Sequence, residues 1–234
     1  MKPKSTTNST MNIEEFINQY KTEDYKFWKY RDINGKSINM HFFFETHFDY
    51  LDKYLSFYKQ LPNLTEVLVC ASDGIFKLTN NGIEYFIRHN HQEVFLDSTG
   101  NKRGVSDEIS KQVRDNLIKR INDILKSINF DEIYQIVTEC KVSGFGELSI
   151  YDTALRISSY LDIEPDKIYL HAGARQGMAI LESKGYVKNG CSKKKCVEME
   201  EMPESIQTLK AKEAEHMLCS MKDTMIKLEA LKNE

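Results

Sequence analysis

Apolar residues recur at helical spacing along most of the chain and predict a series of helices. Ile13, Phe16, Ile17 and Tyr20 follow an i, i+3, i+4, i+7 pattern, so one or two short helices are expected within residues 12–30. The same reasoning predicts further helices at 40–60, 106–127, 130–140, 149–161, 165–182 and 203–231, the last with a break near Lys210. The short apolar segment 64–71 fits a helix or a buried strand, which periodicity does not separate, and a helix is favoured.

The stretches between these helices are predicted to be irregular. Asn34-Gly35 predicts a turn, residues 72–104 carry four glycines without a regular pattern, and 183–197 form a lysine-rich loop. With only 4 prolines and 11 glycines, the chain does not favour a β architecture with many turns. We therefore expect a compact all-α fold. It would have a disordered lead at 1–11, an N-terminal helical lobe with an irregular loop at 12–104 and a second helical lobe at 105–234.

Charge and composition narrow the classes of function. The net charge is −3 at pH 7, so any binding of nucleic acid has to depend on a local basic patch. No apolar stretch approaches about 18 residues, and the start, MKPKSTTNSTM, is not typical of a signal peptide. The five cysteines are odd in number and scattered, as expected for reduced thiols. These features predict a cytoplasmic protein with no membrane partner.

The most specific pattern lies between two predicted helices, where Gly144 and Gly146 flank Phe145. Two glycines permit a tight reversal, and the apolar residue between them can fill the crevice between the helices. Ser149 is the expected cap of the second helix. An ordinary helix–helix connection is the alternative interpretation.

This segment resembles the helix-hairpin-helix motif of the helical DNA glycosylase and DNA-binding superfamily, over about 20 residues. In that family, backbone N–H groups at the start of the second helix hold one phosphate of a DNA strand. The resemblance implies this role for Gly144, Phe145, Gly146 and Leu148. The expected all-α fold would then contain a helix-hairpin-helix in its second lobe.

The resemblance also bears on catalysis. Glycosylases of that superfamily carry a lysine or glutamine in the turn and a catalytic aspartate some way further along the chain. Here Leu148 stands at the turn position, so Schiff-base chemistry is not expected. Asp166 is the residue at a comparable distance from the turn, and a helix cap is its alternative role.

Polar residues among apolar ones mark the segments that follow the hairpin. Asp152 and Arg156 are one helical turn apart and can pair, while Arg175 can present its guanidinium to a phosphate. The stretches YDTALRI and YLHAGARQG, together with the run His89–Gln92, resemble an uncharacterised bacterial protein family across about residues 70–222. That resemblance implies kinship and brings no established activity.

Three histidines are candidate acid–base groups, namely His89, His91 and His171. Their alternatives are a hydrogen-bonded loop for the first two and a buried, bonded histidine for the third. His89 and His91 would form a zinc set with Cys191 and Cys196, but the spacing differs from that of usual zinc sites. No metal or cofactor is therefore assigned.

The chain from His171 to Lys195 carries six basic residues against one acidic residue. Lys193, Lys194 and Lys195 close this basic loop, which either binds phosphate or is simply solvated. At the C-terminus a stripe of apolar residues predicts either core or the face of a homodimer; it consists of Met217, Met221, Met225 and Leu228.

The sequence as a whole predicts binding of nucleic acid through the hairpin, with Arg156, Arg175 and Lys193–Lys195 adding charge. DNA is the favoured ligand, and RNA stays open. Two alternatives remain open. One is a glycosylase-like enzyme acting on nucleic acid or a nucleotide, with Asp166, His89, His91 or His171 in acid–base roles. The other is a helical partner-binding protein in which the hairpin is architectural.

Overall fold

The computed structural model describes residues 10–96 and 99–231. The chain divides into two compact units: unit 1 comprises Met1–Glu23 with Asp166–Glu234, and unit 2 comprises Asp24–Pro165. The boundary expected at 104/105 thus lies inside unit 2. Residues 1–9 of the predicted lead lie outside the described residues, whereas Met11 forms a β-bridge with Leu228 in unit 1.

The elements follow in chain order. The helices are α1 (Ile13–Thr22), α2 (His47–Lys59), α3 (Leu64–Asp73), α4 (Asp107–Lys119), α5 (Ile121–Ile124), α6 (Phe130–Cys140), α7 (Glu147–Tyr160), α8 (Ala172–Ser183), α9 (Glu204–Gln207), α10 (Ala211–Ser220) and α11 (Lys222–Met225). The strands are β1 (Tyr25–Arg31), β2 (Ser37–Phe44), β3 (Ile75–Asn80), β4 (Ile83–Arg88), β5 (Phe95–Leu96), β6 (Lys102–Arg103), β7 (Lys167–Tyr169) and β8 (Cys196–Glu198). Within the described residues, no helix is both long and apolar enough to cross a membrane.

The expected all-α fold is wrong, because the protein is mixed α/β. Consecutive strands pair as antiparallel two-stranded sheets: β1 with β2, β3 with β4, β5 with β6, and β7 with β8. Low contents of glycine and proline exclude many turns but not a few hairpins, and a hairpin of two short strands needs only one turn. Composition was therefore a poor guide to these sheets.

The β1–β2 hairpin replaces the second half of the helix predicted at 12–30 and the start of the one at 40–60. In β1, Phe27 and Lys29 are buried while Trp28 and Tyr30 are exposed, which is the two-residue period of a strand. Aromatic residues on both faces obscured this alternation in the sequence. The turn at Gly35 is as predicted, with φ +80°.

The β3–β4 hairpin lies in the region expected to be irregular. Asn81 and Gly82 connect its strands with φ +51° and +75°. An Asn-Gly pair between alternating residues is a strong hairpin signal, since both positions of a tight primed turn need positive φ. The sequence therefore contained the information for this hairpin.

Helices form the core of unit 2. The helix α7 packs against α2, α3 and α6, and it buries Ile150, Ala154 and Ile157 as the sequence predicted. The predicted helices at 64–71 and 130–140 are present as α3 and α6, each with an asparagine side chain capping its N-terminus. The segment 106–127 is helical as α4 and the short α5.

In unit 1, the helix predicted at 165–182 is preceded by strand β7, which pairs with β8 from the expected loop. Helix α8 packs closely on α10, because a Cβ at Gly177 would collide with the Leu218 backbone. The predicted break at Lys210 is confirmed, since this residue precedes α10. The Met217, Met221, Met225 and Leu228 side chains are buried within unit 1, so the stripe is core.

Candidate functional site

A short turn connects α6 and α7, as the two glycines suggested. Gly144 has φ +91°, and a Cβ there would lie 2.6 Å from Ile109 Cδ1, so only glycine fits without displacement. Phe145 is buried and its N–H donates to the Val142 carbonyl at 3.0 Å. Helix α7 begins at Glu147, which makes Gly146 the N-cap. The cap predicted at Ser149 is therefore wrong, and Ser149 lies buried within the helix.

The N-terminus of α7 is exposed and carries no side-chain cap. Gly146 makes no capping hydrogen bond, whereas the other long helices described in unit 2, α2, α3, α4 and α6, each begin with a side-chain cap. The partial positive charge of these amides favours an anion. Exposed Lys141 adds positive charge nearby, while Glu147 places a negative charge in the first turn. Leu148, in the first turn of α7, is half-buried.

Further along α7, Asp152 meets two histidines from the loop after β4. Asp152 Oδ2 lies 4.0 Å from His89 Nδ1 and 4.0 Å from His91 Nδ1, and the two imidazole rings are 4.8 Å apart. His91 is exposed at 42% of its side chain, while His89 and Asp152 are mostly buried. Two segments that are far apart in the sequence thus converge on one half-open cluster, called here the His–Asp cluster.

Arg156 supports the cluster from beneath and is itself fully buried. Its guanidinium donates to Asp152 Oδ2 at 3.3 Å, to the Ala71 carbonyl at 2.8 Å, to the side chain of Gln92 and to the Tyr54 hydroxyl. The Asp152–Arg156 pair expected from their spacing is present. The expected contact of Arg156 with nucleic acid is wrong for this structure, because a guanidinium without solvent exposure cannot reach a phosphate.

The loop that carries the two histidines is held by buried polar contacts. The Lys29 ammonium lies inside unit 2 and donates to the Arg88 carbonyl, to Asn90 Oδ1 at 3.1 Å and to the Glu93 carboxylate at 2.7 Å. Buried Gln92 donates to the Ser72 carbonyl at 2.9 Å. Because buried polar groups are costly unless they are satisfied, this network fixes the loop in one arrangement.

Buried tyrosines complete the support. The Tyr50 hydroxyl lies 3.3 Å from His89 Nε2, on the side of the ring away from Asp152. Burial raises the pKa of Tyr50 and of Tyr54 well above that of an exposed phenol, so both hydroxyls stay protonated at neutral pH. A neutral Tyr50 hydroxyl orients the His89 ring with Nδ1 towards the carboxylate.

The outer face of β1–β2 is a second exposed surface of unit 2. Trp28 is paired with His41 across the strands and is 45% exposed; Phe43 is 65% exposed. The Arg31 guanidinium lies 5.6 Å from the Tyr30 ring, and the Lys26 ammonium lies 5.8 Å from the Phe43 ring. This combination of exposed aromatic rings and cations is called the aromatic face below.

Unit 1 holds a different cluster. The His171 Nε2 atom contacts a Glu215 carboxylate oxygen, and Cys219 Sγ lies within 4.8 Å of both ligand atoms. His171 and Glu215 are both buried, and Gly173 packs directly against Cys219. The expectation of a buried, bonded histidine is confirmed for His171. The pairing with Glu215 carried no signal in the sequence, because the two residues are 44 positions apart.

The basic loop of unit 1 is built around Arg175 and Glu182. Arg175 donates to the carbonyls of Leu170, Ser192 and Lys194, so its guanidinium supports the chain while the residue stays partly exposed. Hydrogen bonds from Gly190 and Ser192 lower the pKa of Glu182 to about 2. Lys193, Lys194 and Lys195 are exposed, and Lys194 pairs with Glu201.

Three residues weighed in the sequence remain, namely Asp166, Cys191 and Cys196. Asp166 is exposed and precedes strand β7 in unit 1, so the alternative of a helix cap is wrong. Cys191 and Cys196 belong to unit 1, while His89 and His91 belong to unit 2 and are grouped with Asp152. The structure therefore groups the two histidines with Asp152 and not with the two cysteines of the zinc set considered from the sequence.

No family model, curated protein or solved structure matches the chain. The resemblances drawn from the hairpin and from the polar stretches therefore stay predictions.

Proposed function

We propose that the protein binds nucleic acid through unit 2, with a backbone phosphate at the N-terminus of α7. The observation that carries this proposal is the exposed N-terminus at Gly146, which lacks a side-chain cap and follows the Gly144 turn. Amides there can donate to a phosphate without first displacing a capping side chain. The aromatic face supports the same proposal, since unpaired bases stack on exposed rings and neighbouring cations contact the backbone.

The proposal predicts single-stranded nucleic acid as the better ligand, because stacking on the aromatic face requires unpaired bases. Trp28 offers a direct readout, since it is the single tryptophan of the chain and lies on this face. Its fluorescence should be quenched on titration with a single-stranded DNA or RNA oligonucleotide. The logarithm of the association constant should fall with the logarithm of salt concentration, with a slope of about −0.7 per phosphate contacted.

A substitution at Gly146 tests the hairpin without disturbing the fold. Its φ is not in the left-handed region and a Cβ there meets nothing within 4 Å, so Gly146→Glu introduces a carboxylate and no clash. We expect this variant to lose at least about tenfold in affinity, through repulsion of the phosphate at short range. Thr65→Glu is the matched control, because it adds the same charge to the first turn of the capped helix α3.

The result that would contradict the proposal is absence of saturable binding to DNA and RNA. Equal affinity of Gly146→Glu and Thr65→Glu would also contradict it, since the hairpin would then contribute nothing.

A second candidate function, an enzyme acting on nucleic acid or a nucleotide, is favoured by the His–Asp cluster. Asp152 lies six residues after Gly146 on the same helix, which is about 9 Å along the axis. This separation corresponds to about two to three nucleotides of a stacked strand. His91 is exposed enough to exchange a proton with a bound substrate, and its Nδ1 lies 4.0 Å from the Asp152 carboxylate.

This second candidate is tested by incubating labelled oligonucleotides and nucleotides with the protein and following cleavage or base release. Activity should fall by about 100-fold or more in His91→Ala and Asp152→Asn. Asp115→Asn is the control for removal of a carboxylate, as Asp115 is exposed on α4. Cleavage that persists in His91→Ala and Asp152→Asn would assign the chemistry elsewhere.

A further inference from the structure

The His–Asp cluster brings two imidazoles and one carboxylate to one point at the surface of unit 2. Their ligand atoms all lie within 4.8 Å of one another, with the Asp152 oxygen 4.0 Å from each histidine Nδ1. A first-row divalent ion with bonds of about 2.0–2.2 Å holds neighbouring ligand atoms about 3.0–3.5 Å apart. Each histidine and Asp152 would have to approach by about 0.5–1 Å, and the two histidines by up to about 1.8 Å, through rotation of the exposed His91 side chain and smaller shifts of His89 and Asp152.

We infer that His89, His91 and Asp152 form a binding site for a divalent transition-metal ion. Imidazole suits zinc, iron, nickel and copper, and two histidines with one carboxylate on one side of the ion leave coordination positions open. Exposure of His91 gives the ion and its water ligands access from solvent. This inference deepens the second candidate function, because a bound ion would activate water or polarise a phosphate at the place where acid–base groups were expected.

The surroundings of the three ligands match those of a built metal site. Tyr50 contacts His89 Nε2, so the ring presents Nδ1 to Asp152, and this second contact is what orients a ligating histidine in most metal sites. Arg156 fixes the Asp152 carboxylate on the inner side. Lys29 and Gln92 hold the loop on either side of the histidines. His89 and Asp152 are thus positioned in advance, which lowers the entropic cost of binding an ion.

One contact opposes the ion and sets the expected strength of binding. The Arg156 guanidinium lies 3.3 Å from the same carboxylate oxygen that faces the histidines, so its charge repels a cation. The Ala71 carbonyl, the Gln92 side chain and the Tyr54 hydroxyl share that charge. We therefore expect binding weaker than that of a structural zinc site, with exchangeable metal.

The test titrates the full chain, treated with chelator and kept reduced, with Co²⁺ alone. No nucleic acid is present, so failure of nucleic-acid binding and failure of metal binding are separate results. We expect one ion per chain, with d–d absorption in the visible and no sulfur-to-cobalt charge-transfer band in the near ultraviolet. Excess Zn²⁺ should displace the Co²⁺ and abolish the visible absorption.

Variants then assign the ligands. His91→Ala removes an exposed side chain, so the fold should be kept while affinity for Co²⁺ falls by at least about tenfold. Asp152→Asn should lower it as well, and circular dichroism confirms that the variant is folded. His41→Ala, which removes another exposed histidine of unit 2, should bind as the wild type does.

Unit 1 supplies the competing site, and Cys219→Ser tests it. Wild-type binding in Cys219→Ser supports the inference. Loss of binding in Cys219→Ser with retention in His91→Ala places the metal in unit 1 and overturns it. Absence of Co²⁺ binding up to millimolar concentration, or binding unchanged in His91→Ala, overturns it as well.

Discussion

The two units each hold a cluster with histidine and carboxylate, but the clusters differ in what surrounds them. In unit 1, His171 and Glu215 are both buried, and Gly173 and Cys219 close the space around them. In unit 2, His91 reaches solvent and lies opposite Asp152, while buried Arg156 and Tyr50 support the cluster from within. The same donor types therefore occupy one closed and one half-open environment.

This difference separates a contribution to stability from a capacity for chemistry. A closed pair satisfies the polar groups of two elements that pack together, here the start of α8 and the middle of α10. Breaking it leaves a buried polar group without compensation. A half-open cluster can exchange water, protons or ions with solvent, and its rigid support keeps the geometry ready for them. Four predictions test this contrast.

The largest effect is expected from removal of one partner in the closed cluster. Glu215→Ala should lower the free energy of unfolding by about 3–5 kcal/mol, since it removes the buried carboxylate that contacts His171. His91→Ala, made in the half-open cluster, should change it by less than about 0.5 kcal/mol. Urea denaturation followed by circular dichroism measures both. Equal effects of the two variants would remove the distinction between the clusters.

A second contrast compares the glycines of the two regions. Gly177→Ala forces a methyl group into the Leu218 backbone and should destabilise unit 1 by about 1–3 kcal/mol through separation of α8 from α10. Gly146→Ala meets open space and should leave the free energy of unfolding within about 0.5 kcal/mol of the wild type. Thermal denaturation of the two variants measures both effects. A Gly177→Ala protein as stable as the wild type would contradict the close packing of α8 on α10.

The exposed hairpin allows stability and binding to be changed in opposite directions. Gly146→Ser supplies the missing cap of α7, which should stabilise the protein by about 0.5–1 kcal/mol. The same hydroxyl occupies an amide that the proposed phosphate needs, so affinity for an oligonucleotide should fall. Denaturation and fluorescence titration of the same preparation measure the two changes. A variant that gains both stability and affinity would argue against a phosphate at this N-terminus.

The smallest effect concerns the acidic residue beside the hairpin. Glu147→Gln removes a negative charge from the first turn of α7 and should raise affinity for nucleic acid by about two- to fivefold, or about 0.3–1 kcal/mol. The control is Glu66→Gln, an exposed glutamate in the first turn of capped helix α3. If both variants raise affinity equally, the gain reflects total charge and does not locate the phosphate.

Local patterns predicted the helices whose signals are contained in a few neighbouring residues. Asn129 before an apolar-periodic segment marks the start of α6, and Gly144 with Gly146 marks the hairpin before α7. The strand β1 was missed because its exposed face is aromatic as well, so its two-residue period is hidden. The expected all-α fold is wrong for that reason, and because Asn81-Gly82 forms the turn of a β-hairpin within a segment whose glycines suggested irregular structure.

The candidate site divides in the same way. The sequence singled out His89 and His91 as chemically unusual and paired Asp152 with Arg156 through their spacing on one helix. It gave no means of joining the two segments, and it treated Arg156 as an exposed charge although the residue is fully buried. Burial of a charged side chain depends on what packs around it, and those neighbours come from α2, α3 and the loop after β4.

By itself, then, the sequence determined the local features of this protein: helix starts, the glycine turn and the residue types available for chemistry. These depend on backbone conformations and capping contacts within a few positions. Only the tertiary structure decided which distant groups meet, namely His89 and His91 with Asp152 in one unit and His171 with Glu215 in the other. The physical reason is that these contacts arise from packing between elements, which brings together residues that share no local signal in the chain.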